Sequence, residues 1–150
     1  MYFDEGAYAG LPVDGSKIGQ DYTVEGWFIW LSGTGPLLRT DDDALALMYD
    51  RDGECAYMLG GVERVTVVPS RAAKDRWIYV AVAKTRGAAI LRFNEGVVNR
   101  WDSVPDQTGA LTDLIVMKDA VGFASDIAIY GRGLPDDRLS AHWEAGKDRV

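Results

Sequence analysis

The chain has 150 residues, with 16 Lys+Arg against 23 Asp+Glu and a formal net charge of −7. A pI near 4.6 argues against nucleic acid as the partner, because phosphate binding needs a basic face. One cysteine, Cys55, and one histidine, His142, exclude an internal disulfide, a zinc finger and any site built on two imidazoles.

Hydrophobic residues make up 47% and charged residues 26%, ordinary values for a globular chain. The length suits one domain, so residues 1–150 are expected to fold as a single unit. No segment approaches the ~18–20 apolar residues of a membrane span. The start, Met1-Tyr2-Phe3-Asp4-Glu5-Gly6, lacks the basic and apolar regions of a signal peptide.

Glycine, 17 of 150, punctuates short apolar runs, the pattern of an all-β fold. Residues 22–31 read as a strand that is apolar on both faces. Thr23, Glu25, Trp27 and Ile29 face one side, and Val24, Gly26, Phe28 and Trp30 the other. Segments 44–49 and 56–59 flank Asp50-Arg51-Asp52-Gly53-Glu54, a hairpin turn with glycine at a positive φ. Segments 77–84 and 88–93 flank Thr85-Arg86-Gly87, a second hairpin, and Asn94-Glu95-Gly96 turns into Val97-Val98. Residues 114–117 and 125–130 give two more strands. One helix is expected late in the chain, with Pro135 at its first position and Asp136 and Asp137 at the positive end of its dipole. Leu139, His142 and Trp143 share a face of that helix, and Gly146 would end it in the left-handed conformation.

Three segments together resemble laminin-G-like jelly-roll domains of the concanavalin A-like lectin/glucanase superfamily. Tyr22-Thr23-Val24-Glu25-Gly26-Trp27-Phe28, followed by Gly33-Thr34-Gly35-Pro36-Leu37-Leu38, is similar to the early core strand and its successor. Residues 76–84 and then 89–96 resemble the tryptophan-led strand and its asparagine-glycine hairpin, with Glu95 between Asn94 and Gly96. Residues 125–134, leading into Ala141-His142-Trp143-Glu144-Ala145-Gly146, resemble the closing strand and terminal helix, and Phe3-Asp4 with Gly6 and Tyr8 the first strand. The resemblance implies an antiparallel two-sheet β-sandwich with one short C-terminal helix. It specifies function weakly, since the superfamily includes lectins, glycosidases, adhesion modules and virion proteins. It also implies an acidic residue where Ser125 stands, next to Asp126, so an inherited Ca²⁺ site is not expected. No cofactor is expected, with Ca²⁺ the one candidate.

Glycoside hydrolysis needs two carboxylates flanking the bond. The superfamily's glucanases carry theirs at alternating positions of one strand, and no strand here has that spacing. Glu25 reads as a paired residue, His142 as helix packing, Asp41-Asp42-Asp43 as a solvated acidic loop and Cys55 as a small buried hydrophobe. The chain is therefore expected not to be an enzyme. The resemblance implies core positions for Trp27, Trp77 and Trp143, and it assigns Trp30 less clearly. Trp101, between Arg100 and Asp102 in a polar segment after a strand, is the candidate contact residue, because an aromatic there stacks on a sugar or fills a partner's pocket. Arg100, Trp101 and Asp102 thus form the expected contact site. The leading expectation is a non-catalytic interaction module, a virion surface protein such as a phage capsid decoration or tail component. Its partner would be a virion structural protein or a host surface, and its location the virion or an extracellular surface. The alternative is a lectin-like carbohydrate-binding module of a larger extracellular protein.

Overall fold

A computed structural model describes residues 1–107 and 111–149, the side chain of Arg149 excepted. The first strands are β1 (Tyr2–Phe3), β2 (Ala9–Leu11), β3 (Tyr22–Gly33), β4 (Leu38–Thr40), β5 (Leu45–Arg51) and β6 (Glu54–Leu59). They are followed by β7 (Val62–Pro69), β8 (Trp77–Thr85), β9 (Ala88–Phe93), β10 (Gly96–Trp101), β11 (Leu114–Val116) and β12 (Ala120–Tyr130). The helix α1 (Asp136–Gly146) comes last, ahead of a 3-10 turn at Lys147–Arg149. The strands form two six-stranded antiparallel sheets, ordered β1-β12-β3-β8-β9-β10 and β2-β11-β4-β5-β6-β7. This is the expected all-β sandwich with one short C-terminal helix.

β3 is the central strand the sequence implies, buried without a break from Tyr22 to Phe28. Val24, Phe28 and Trp30 face the core between the sheets, together with Leu45, Leu47, Tyr57, Val80, Val82 and Leu91. Trp27 faces the opposite way, into a second cluster with Tyr79, Ala81, Ala83, Leu134 and Leu139. The β1-β12-β3-β8-β9-β10 sheet is thus covered inside by its partner sheet and outside by α1. Asp52-Gly53 and Arg86-Gly87 all have positive φ, which is what tight hairpin turns following the strand twist require.

Several details differ from the sequence reading. β2 and β7 are additional strands. The segment expected to end at Val98 continues as β10 to Trp101. Pro135 lies just before α1, as its N-cap residue, rather than inside its first turn. Gly146 does not take a left-handed turn, and the chain continues in a 3-10 turn. The reason for glycine there is proximity: a Cβ would lie 2.4–2.7 Å from the indole of Trp27. Among the tryptophans, Trp30 is the fully buried one, donating through Nε1 to the carbonyls of Ser32 and Gly33. Trp77 and Trp143 pack half-buried at the margin of the outer cluster.

Candidate functional site

Helix α1 is fastened to the outer face of its sheet at both ends, and the fastenings shape two clefts. At its start, the buried Arg92 of β9 places Nη1 2.6 Å from Asp136 Oδ1 and also donates to the carbonyls of Asn94 and Glu95. Thr23 Oγ1 donates to the Arg132 carbonyl and accepts from the Leu134 N–H, which holds the segment leading into the helix. Nearer its end, His142 Nδ1 lies 2.9 Å from both oxygens of Glu25, a carboxylate only 6% exposed. Tyr130 donates to Glu25 Oε1 at 3.0 Å, and Tyr79 donates to Oε2.

Burial first, and Glu25 next through its hydrogen bond and its charge, push the Tyr79 phenol well above its ordinary value. The same two causes raise Tyr130. A buried carboxylate surrounded by donors is stable because each oxygen is satisfied. Glu25 therefore reads as the paired residue expected of it, and His142 packs on the sheet through it. The partners come from β8, β12 and α1, at sequence separations of 54, 105 and 117.

The β12 ladder explains how Tyr130 reaches Glu25. Ser125 pairs with Trp27 and Ala128 with Glu25, so Asp126 and Ile127 together oppose Gly26. Asp126 takes a positive φ at this bulge. A regular ladder would have put Ile127 and Ile129 on the helix side. The extra residue instead sends both toward the inter-sheet core and turns Ala128 and Tyr130 outward. Gly26 leaves the room: a Cβ there would lie 2.8 Å from the Phe28 ring and 3.2 Å from Ile127. The resulting cleft, about 390 Å³, is lined by Glu25, Trp27, Tyr79, Asp126, Tyr130 and His142 among others.

A second bulge governs the expected contact residues. In β10, Val97 opposes Arg92 but Asn99 opposes Leu91, which makes Val98 the extra residue. Arg100 therefore pairs with Ile90 and shares its outer face, while Trp101 pairs with Ala89 and packs, half-buried, against the inter-sheet core. Asp102 is exposed beyond the strand end. Of the three, Arg100 lines a cleft on the outer face. That cleft, about 360 Å³, is floored by Ala83 and Ile90 and walled by Gly133, Leu134 and Pro135.

The remaining candidates are bland. Cys55 is fully buried between the sheets, where burial first and the Asp50 charge next push its thiol up to about 11. Asp41, Asp42 and Asp43 form an exposed loop, with Asp43 paired to Arg39. Ser125 donates to Asp126 Oδ2 at 2.6 Å. Among the described residues no group of three or more His, Cys, Asp or Glu converges to hold a metal ion. Among them, too, no helix is long and apolar enough to cross a membrane.

No family model and no curated protein matches the sequence. Solved structures do match in fold. The CBM40 of the Ruminococcus gnavus IT-sialidase, bound to alpha2,3 sialyllactose, superposes with a TM-score of 0.69 at 14% identity, covering 95% of this chain and 95% of that one. Domain 4 of AbnA, a GH43 extracellular arabinanase from Geobacillus stearothermophilus in complex with arabinotriose, gives 0.71 at 17% identity, covering 93% of this chain and 74% of that one. Trypanosoma rangeli sialidase gives 0.71 at 16% identity over 98% of this chain, which spans only 27% of the sialidase. At these identities the likeness is one of fold. The resemblance seen in the sequence thus holds at the level of the β-sandwich fold, and laminin G domains in particular are not singled out.

Proposed function

We propose that this chain is a non-catalytic, lectin-like carbohydrate-binding module of a larger extracellular or surface protein. The observation that carries the reading is the pair of clefts flanking α1. Each has the size of a small-ligand site, and each sets apolar or aromatic walls beside a few polar groups, the combination that sugars bind. The fold neighbours support this reading, several of them being binding domains. They lend the phage-surface reading no support, and the glycan-binding alternative takes its place. Catalysis is disfavoured by the site itself, because the oxygens of Glu25 are occupied by Tyr79, Tyr130 and His142. A carboxylate so engaged is a structural anchor, not an available nucleophile or base.

A glycan array, probed with and without EDTA, tests the proposal. Binding to a subset of glycans that survives EDTA is the expected result. A folded protein that binds no glycan under either condition refutes it.

A further inference from the structure

We infer that the cleft under Arg100 receives the carboxylate-bearing sugar of an acidic glycan, with the guanidinium on the carboxylate and the ring's apolar face on Ile90 and Leu134. The inference rests on the glycan-binding reading above and names its ligand class.

The argument starts from the β10 bulge. Without Val98 as an extra residue, Arg100 would oppose Ala89 and point between the sheets. With it, Arg100 opposes Ile90 on an edge strand, at the rim of the apolar cleft. Among the described residues Arg100 makes no ion pair and no side-chain hydrogen bond. Asp136 lies at the same cleft, but its carboxylate is already held by Arg92 at 2.6 Å. The uncompensated charge facing the cleft is therefore positive, in a chain whose net charge is −7. A guanidinium presents a planar fork that matches a carboxylate in bidentate fashion.

The rest of the lining gives the ligand its second requirement. Ala83 is small and almost fully buried, so the floor is low, and Ile90 and Leu134 supply apolar surface. A volume of about 360 Å³ lies in the range of a small-molecule pocket. The cleft at the other end of the helix has the opposite character. It carries Glu25 and Asp126, and among its described lining residues there is neither lysine nor arginine. Of the two clefts beside α1, this is therefore the one whose described lining offers an entering acid an unpaired cation.

The experiment is calorimetry of the wild type and of Arg100→Gln with 3′-sialyllactose, lactose and arabinotriose. Arg100 is exposed, so the variant should fold as the wild type does, with an unchanged Tm. The wild type should bind sialyllactose at least about tenfold better than lactose. Arg100→Gln should lose about 10- to 100-fold toward sialyllactose, the scale of one charge-assisted contact, and leave the neutral sugars unaffected. Unchanged sialyllactose affinity in the variant overturns the inference. Binding of arabinotriose or lactose without preference for the acid overturns it too, while leaving the glycan-binding reading intact. Failure of the wild type to bind any of the sugars overturns the inference, and the glycan array then decides separately whether the glycan-binding reading stands.

Discussion

Replacing Tyr79 by Phe removes one hydroxyl and little else, which makes it a clean probe of how α1 is held. Tyr79 is 1% exposed and donates to Glu25, itself 6% exposed. Loss of a hydrogen bond to a charged group costs about 1.5–3 kcal/mol. For a chain of this size that is roughly 2–4 °C of Tm for each kcal/mol. The pH dependence adds a second reading. Burial, and then Glu25, raise the Tyr79 phenol above its ordinary value, so its protonated form is favoured by folding. The stabilisation is therefore complete below the unfolded phenol value of about 10, and is lost as pH rises above it. Each further unit removes about 1.4 kcal/mol more from the wild type than from Tyr79→Phe, which keeps the other buried phenols. Urea titrations of both proteins at pH 7 and pH 11 should show a gap that is full at pH 7 and narrowed at pH 11. A gap below about 0.5 kcal/mol at pH 7, or one that does not narrow, would refute the network as drawn.

Trp30→Ala should cost about 3–5 kcal/mol by chemical denaturation, since the indole is fully buried, whereas Trp77→Ala should cost about 1–2 kcal/mol because its ring is only partly buried. Cys55 should react with a thiol reagent at pH 7 only as the protein unfolds, given a thiol that is fully buried and pushed up to about 11, and rapid labelling of the native state would show the sheets to be apart there. Trp101→Ala should lower stability by about 1–3 kcal/mol and leave glycan binding intact, since the ring packs on the inter-sheet core. Weakened binding at an unchanged Tm would instead assign Trp101 to the contact surface.

Much of the fold was legible in particular residues. Apolar side chains on both faces of β3 announce a strand covered on both sides, and the structure covers it with a sheet and a helix. Asp52-Gly53 and Arg86-Gly87 mark their hairpins because few residue pairs accept positive φ at both positions. Leu139 and Trp143 mark the buried side of α1. β7 was missed although Gly60-Gly61 and a β-branched run point to it. As an edge strand it leaves Val62, Val65 and Val67 at least 40% exposed, so no apolar face stands out. Glu25 could be read as paired from its place on an apolar strand, but not with what. Its partners lie 54 to 117 positions away, and such separations leave no local pattern.

The site was the less legible part for one physical reason, and it recurs. The side-chain period of a strand is two, so one extra residue exchanges the faces of everything after it. Extending the alternation of residues 125–130 without a bulge puts Ile127 and Ile129 on the helix side and hides Tyr130. The pairing of Ala128 with Glu25 does the reverse and completes the Glu25 network. Extending β10 without Val98 as an extra residue turns Arg100 toward the core and leaves Trp101 outside as the natural contact residue. The pairing of Arg100 with Ile90 exchanges the two. Each bulge lies beside one of the two clefts, so the outer face of this sheet owes its chemistry to two inserted residues. Regular strands would have built the same sandwich core around a different surface, which is why composition and periodicity reached the fold and stopped short of the site.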